Sequence, residues 1–432
     1  MEHYPGLLPR WAHRALLVIA LGSAAAFLLL PGLRHSGRLS DFAGYYTASR
    51  IVLSGDSVED LYNDRRFIDR MQTWGLRDTQ MIFYVNPPPA SLIMTPVAWL
   101  DPGKAKGVWN LAMAALVFAA LLFARKSMPW SGRAGFTEIF LACSFCSIPF
   151  MRNMQRGQIY VLMALLVLVL WQGYSTRNAW LTGLALAALL LLKYFGWIFL
   201  LLFAVERRWK EMGVTVIIVA AASILLAAAI GGDVYTAHLS LLASSFSNMD
   251  LATTGLPSIP ALIAGLFVAV PGWNPQPVLN LPGLAVILTL VALCGMIAAT
   301  LYRRSGRPAQ ESSPYMFFAT AVLSVLLTPL AAEHHYVILA APLVVMLTSP
   351  VRVSVPRILF AALTAYLLLG WLPLFPAGSL AGWTKLLGYG RLAGGLMLWY
   401  AMVRMGVYTA PDGGGVIKHA PTRVSRQPED GR

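Results

Sequence analysis

The sequence predicts an all-α polytopic membrane protein: a bundle of about twelve transmembrane helices with a long external loop after the first of them. Three observations carry this. Hydrophobic residues make up 57% of the 432 positions and charged residues only 12%, where a soluble domain averages about 45–50% and about 25%. The apolar residues fall into runs long enough to cross a bilayer, separated by polar connectors. The basic residues, which set the net charge of +14, gather in short clusters between those runs: Arg125-Lys126, Arg207 to Lys210, Arg303 to Arg307, Arg352 with Arg357, and Lys418 to Arg432. That is the positive-inside pattern of cytoplasmic loops, not the continuous basic stripe of a nucleic-acid binder. The partners expected are therefore membrane lipids and no nucleic acid.

The first span covers 12–30, with Arg10 and Arg14 on the cytoplasmic side. Its flanks lack a convincing small-residue cleavage site, so it reads as a retained anchor. Residues 31–106 hold charges of both signs in near balance and form the first external loop. Within it, 41–53 reads as an amphipathic helix ended by Gly55, and 64–74 as a second helix capped by Asn63. The prolines of FYVNPPP, 83–89, favour an extended, donor-poor strand. The apolar piece 91–100 is too short to span and reads as re-entrant or interfacial. Asp101-Pro102 is a helix start that opens the span 106–124.

Spans at 134–150 and 158–172 are joined by MRNMQRGQ, expected outside. The run 179–206 carries cytoplasmic-type charges at both ends, which a single crossing cannot satisfy. It is expected to be two helices of about 14 residues, roughly 21 Å each, turning at Lys193-Tyr194 inside an outward cavity. Further spans follow at 212–230, 282–302, 314–331, 336–349, 357–375 and 387–405. Residues 232–281 form a second external loop with an interfacial piece at 258–270. Residues 1–410 are thus one integral-membrane domain, and 411–432 a Gly-, Pro- and charge-rich cytoplasmic tail expected to lack order. Cys143 and Cys146 have C-x-x-C spacing but lie in an apolar helix without partner ligands, so they read as small core residues.

Four polar features converge on the outer face: Asp41, the Arg152–Gln158 turn with Arg156, Lys193, and Glu333-His334-His335. Ionisable groups at membrane depth are costly and point to function. Asp41 can be a helix cap, or a base at the membrane surface that deprotonates an acceptor hydroxyl. Lys193 can snorkel or pair structurally, or hold a phosphate with the other cations and stabilise it as a leaving group. His334 and His335 can end a helix or bind a ligand; with one acid beside them, a metal site is weakly supported. Tyr45, Tyr46, Phe42 and Trp74 could stack on a sugar ring. No phosphate-binding glycine loop is present, so a nucleotide is not expected, and no cofactor is expected either.

With these residues in order, the chain resembles the polyprenol-phosphate-mannose-dependent glycosyltransferases of the GT-C fold, glycosyltransferase family 87. The resemblance is carried by DFAGYYTASRIVLSGDSVEDLY at 41–62, YVNPPPASLIMTPVAWL at 84–100, RGQIYVLMALL at 156–166, the Lys193 hairpin, and TPLAAEHHYVILAAPLVVML at 328–347. It departs from the family pattern at SSFSNMD, 244–250, and in having Tyr-Phe-Gly after the lysine. The resemblance implies Asp41 as catalytic base and donor-phosphate contacts from Lys193, Arg156, His334 or His335. Tyr45, Tyr46, Gln158 and Glu333 are expected at the substrate. It implies inverting transfer of a sugar, foremost mannose, from a polyprenyl-phosphate donor to a glycan or glycolipid acceptor at the extracytoplasmic face of a bacterial inner membrane. The competing expectation is a transporter or flippase for a lipid-linked or anionic substrate; the broken 179–206 segment fits both, and the lack of an internal repeat favours the enzyme.

Overall fold

The computed structural model describes residues 10–29, 40–56, 58–77, 79, 81–83, 86–128, 130–133, 135–248, 251–252, 256–302, 314–349, 355–370 and 380–408. Among them the chain is helical, with one isolated bridge between Val270 and Asn274. The α-helices in order are α1 (Arg10–Leu29), α2 (Ser40–Ser54), α3 (Asp64–Thr73), α4 (Pro102–Ser127), α5 (Phe136–Phe145), α6 (Ile148–Arg156), α7 (Tyr160–Ser175), α8 (Ala179–Lys193) and α9 (Trp197–Val205). They continue with α10 (Trp209–Ile230), α11 (Asp233–Asn248), α12 (Ile259–Phe267), α13 (Pro282–Tyr302), α14 (Pro314–Leu326), α15 (Ala340–Thr348), α16 (Val355–Ala365) and α17 (Gly390–Tyr408).

Lipid is the solvent these helices are built for. Among the described residues α4, α10 and α13 are long and apolar enough to cross a bilayer, and α6 with α7 makes a fourth if that bent pair is one span. Helix α13 exposes Val286, Ile287, Leu290 and Val291, and α10 exposes Val216, Ile217, Ile224 and Leu225. Each set lies on one helical stripe, and stripes of this size facing water would drive association. Shorter apolar helical stretches of 10–17 residues occur at Trp11–Ala26, Phe136–Phe145, Ala179–Lys193, Pro314–Leu326, Glu333–Thr348 and Pro356–Gly370.

The core is the helix that is apolar all round. Every residue of α14 from Tyr315 to Leu326 is buried, enclosed by α17, α15, α9 and α7. Helix α7 packs in turn on α4 and α8, and α8 on α10. The α7–α8 crossing is close because Gly173 has no side chain: a Cβ there would stand 2.6 Å from the Thr182 backbone nitrogen. Small residues let membrane helices approach in this way.

The 179–206 run is broken as expected. Helix α8 ends at Lys193, Tyr194 takes a left-handed conformation at φ 52°, and α9 starts after Gly196. Asn63 caps α3 by accepting from the Arg66 backbone N–H, and Gly55 at φ +68° follows the end of α2. Elsewhere the structure corrects the expectation. Helix α2 is not amphipathic: all residues from Asp41 to Ser49 are buried, because the 86–100 segment closes over it. Ser49 Oγ donates to the Ser91 carbonyl and accepts from the Met94 N–H, and Tyr46 donates to the Leu100 carbonyl at 2.6 Å.

Pro88 and Pro89 do not sit in an extended strand. After Pro87 the chain turns into a 3-10 helix, Pro88–Leu92, since proline at the first positions of a helix needs no N–H donor. Tyr84 and Val85 lie outside the described residues, as does the tail 411–432. The turn expected at MRNMQRGQ is instead helix α6, started by the Ser147 hydroxyl accepting from the Phe150 N–H with Pro149 in the first turn. Asp101 precedes α4 without a side-chain cap and pairs with Lys104 at 3.6 Å. Cys143 is a buried free thiol, as expected of a core residue, whereas Cys146, at the end of α5, is free and exposed and is not part of the core.

Candidate active site

The site is built around a corner. Helices α6 and α7 meet at 119°, and three side chains hold that angle. Asn153 Oδ1 accepts from the Tyr160 N–H at 3.0 Å, tying the end of α6 to the start of α7. Trp109 Nε1 donates to the Gly157 carbonyl at 3.1 Å. Lys106, 0% exposed, donates to the Met154 carbonyl at 2.7 Å. A cation on the last carbonyls of α6 satisfies acceptors the helix leaves open and opposes the negative end of its dipole.

Gly157 allows the corner to close. It caps α6 at φ +71°, and a Cβ on it would lie 2.5 Å from Lys106 Nζ and 2.6 Å from Phe42 Cβ. Gly157→Ala combines a left-handed alanine with that overlap, so a loss of about 1–3 kcal/mol is expected. A lower unfolding midpoint in detergent, together with weaker activity, is the result that checks it; an unchanged midpoint would mean the corner yields freely.

Asp41 lies in the first turn of α2, against this corner. Its Oδ2 is 3.5 Å from Arg156 Nη1 and has no hydrogen-bond partner among the described residues. The Asp41 charge acts on Lys106, Lys193, Tyr45 and Tyr160. Lys193, at the end of α8, lies over the rings of Tyr45 and Tyr160, with Nζ 5.3 and 5.8 Å from their centroids. Arg156 and Lys193 both act on His334 and His335. Three basic side chains thus face a single carboxylate, an excess that suits an anionic group such as a phosphate.

The histidines differ. His335 Nδ1 accepts the Ala332 backbone N–H at 3.0 Å, so a neutral ring carries its proton on Nε2. That Nε2 lies 2.6 Å from the Tyr160 hydroxyl, which accepts from it and keeps its own proton to donate. His334 is buried with Nδ1 unpartnered among the described residues, and its ring lies 5.1 Å from that of Tyr160. Tyr45, one turn along α2 from Asp41, has its hydroxyl 3.3 Å from both Gln158 Oε1 and Asn86 Oδ1. Burial first, then Tyr160 and Asp41, push the Tyr45 phenol well above its usual range, which keeps it a donor.

Compared with protein-family models, residues 84–329 match Glycosyltransferase family 87, more than half of the chain. The chain belongs to glycosyltransferase family 87. It is therefore a glycosyltransferase, taking a sugar from a donor to an acceptor, and its apolar helices make it a membrane protein. Comparisons with curated proteins and with solved structures gave no match.

Within this family 87 chain the match includes Lys106, Arg156, Gln158, Tyr160 and Lys193, while Asp41, His334 and His335 lie outside it. The structure brings Asp41, Tyr45, Arg156, Gln158, Lys193, His334 and His335 into one cluster. Tyr46 points elsewhere: five residues from Asp41, it is fully buried, with its ring and that of Trp74 both under the Arg50 guanidinium. Glu333 is held by Arg152 at 3.2 Å and by Arg391, joining α6, the 333–339 turn and α17. Sequence reading missed Lys106, Tyr160 and Asn86. Lys106 follows Lys104 at a helix start and reads as a solvated end; Tyr160 opens an apolar run; Asn86 is hidden among prolines.

Proposed function

We propose that this glycosyltransferase moves a sugar, foremost mannose, from a polyprenyl-phosphate donor to a hydroxyl of a lipid-linked or envelope glycan, with inversion and with Asp41 as general base. The observation that carries the reading is the pairing of one buried, incompletely bonded carboxylate with a cluster of basic side chains. The acceptor hydroxyl gives its proton to Asp41 Oδ2 as its oxygen attacks the anomeric carbon. The bond from that carbon to the phosphate oxygen breaks, and the phosphate leaves with the electron pair. Lys193 and Arg156 stabilise the charge that develops there.

Arg156 is half exposed and reaches Asp41 only at 3.5 Å. An arriving phosphate competes for it and frees the carboxylate to accept the proton. The Tyr160 hydroxyl adds an uncharged donor to the phosphate, with His335 acting through it. The reading extends to a GT-C bundle of about twelve spans, counted with the shorter apolar helices, in a bacterial inner membrane with the site on the extracytoplasmic face.

The test is transfer from labelled polyprenyl-phosphate mannose to candidate glycolipids by the purified full chain. Label in the acceptor, with polyprenyl phosphate released, supports the reading; transfer from another polyprenyl-phosphate sugar revises the sugar; no transfer from any removes the reading. A second expectation concerns Tyr160→Phe. Loss of one hydrogen bond to a charged phosphate is worth about 1.5–3 kcal/mol, so the donor KM should rise about tenfold to a hundredfold. His335→Ala should add little to it, since both act through the same bond. Additive effects would place His335 on the substrate directly.

A further inference from the structure

Beside the cationic cluster lies a second group of side chains that the reaction above does not use. Tyr62 comes from the 3-10 turn Val58–Tyr62, Tyr194 from the α8–α9 turn, and Tyr235 and His238 from one face of α11. The His238 ring lies 4.8 Å from that of Tyr62 and is stacked at 5.8 Å on that of Tyr194, whose hydroxyl meets His238 Nε2 at 2.7 Å. His238 is 1% exposed, yet its Nδ1 has no partner among the described residues; neither has the buried Tyr235 hydroxyl.

This group joins the catalytic cluster through two short links. The Tyr62 hydroxyl donates to the Asn86 carbonyl at 2.8 Å, while the Asn86 side chain meets Tyr45. Tyr194 follows Lys193 in the chain and is itself 44% exposed. Its left-handed backbone, at φ 52°, turns the chain back while leaving the ring at the surface.

The chemistry of the group is distinct from that of its neighbour. It contains no charged side chain. Burial pushes the His238 imidazole down to about 4, so at neutral pH it offers one donor and one acceptor. Burial, and next Tyr235, holds the Tyr194 phenol up at about 12. Aromatic faces with uncharged polar atoms at their rim suit a pyranose, whose C–H faces are apolar and whose hydroxyls both donate and accept. Buried polar atoms without partners call for a ligand or water to satisfy them.

We infer that Tyr62, Tyr194, Tyr235 and His238 form a subsite for a neutral pyranose ring next to the phosphate-binding cluster, with the Tyr235 hydroxyl and His238 Nδ1 taking sugar hydroxyls and the exposed Tyr194 ring as its entrance. The assignment rests on the proposed transfer for its role, since the ring can belong to the donor's sugar or to the acceptor's.

Two measurements on the full chain in detergent test it. The first is saturation-transfer NMR with methyl α-mannoside on the wild type, Tyr235→Phe and His238→Gln. Transfer to the probe in the wild type that is reduced severalfold in both variants supports the subsite. No transfer in the wild type, or equal transfer in all three, overturns it. Tyr235→Phe removes one oxygen and keeps the ring, so its fold is checked simply by an unchanged unfolding midpoint. The second measurement is kinetic: a KM raised about tenfold for the acceptor alone assigns the acceptor's sugar, and for the donor alone the donor's, while KM values unchanged for both overturn the subsite. Probe binding that depends on Tyr235, in a protein that transfers nothing, would reject the proposed reaction and keep the subsite.

Discussion

Transfer by Asp41→Asn should fall by about 10²- to 10⁴-fold, the range that a positioned general base contributes, with donor affinity within a few fold of wild type. The asparagine keeps the shape of the carboxylate and cannot take the acceptor proton. It also loses the charge that faces Lys106, Arg156 and Lys193, so donor phosphate binding should hold or tighten. Single-turnover transfer and donor binding measured on the same preparation separate these effects. A transfer rate near wild type would end the assignment of the base. Weak donor binding with an otherwise intact rate would make Asp41 a structural anchor of the corner.

Lys193→Ala is expected to weaken donor binding by about tenfold to a hundredfold, from about 1.5–3 kcal/mol for a hydrogen bond to a charged group. Among the described residues the Lys193 ammonium has ring faces for company and no carboxylate or carbonyl within hydrogen-bonding reach. Donor titration of Lys193→Ala and Lys193→Arg checks the point: partial recovery in arginine marks a phosphate contact. A drop in the unfolding midpoint without a change in donor affinity marks a structural lysine.

Much of this arrangement was legible in the chain itself, and the reasons differ from residue to residue. The α8–α9 hairpin followed from bookkeeping of sides: Arg177 and the Arg207 cluster cannot flank a single crossing. Asn63 was readable because a cap acts within four residues. Helix α6 was not, since nine residues are too short a run to stand apart from the apolar stretch before it, and its real signal was Ser147 two positions before Pro149. The burial of α2 was hidden because its cover is the proline segment, whose position depends on long-range contacts.

For the site, Asp41, Arg156 and Lys193 stood out as charges beside apolar runs, which composition alone makes conspicuous. Lys106 did not, because a lysine near a helix start is ordinary in water; only the α6 carbonyl that it meets, 48 residues away, makes it part of the corner. Tyr160 likewise gained its meaning from His335, on the far side of the chain.

The burial of α2 from Asp41 to Ser49 has a thermodynamic side. An acid fixed by packing in a helical stretch with no exposed residue has its place set by folding, not by the arrival of substrate. The reorganisation that a flexible acid would undergo in each catalytic cycle is completed once, when the chain folds. What remains free to respond to ligand is the half-exposed Arg156 guanidinium, so in the proposed reaction adaptation to substrate falls to the cation rather than to the base.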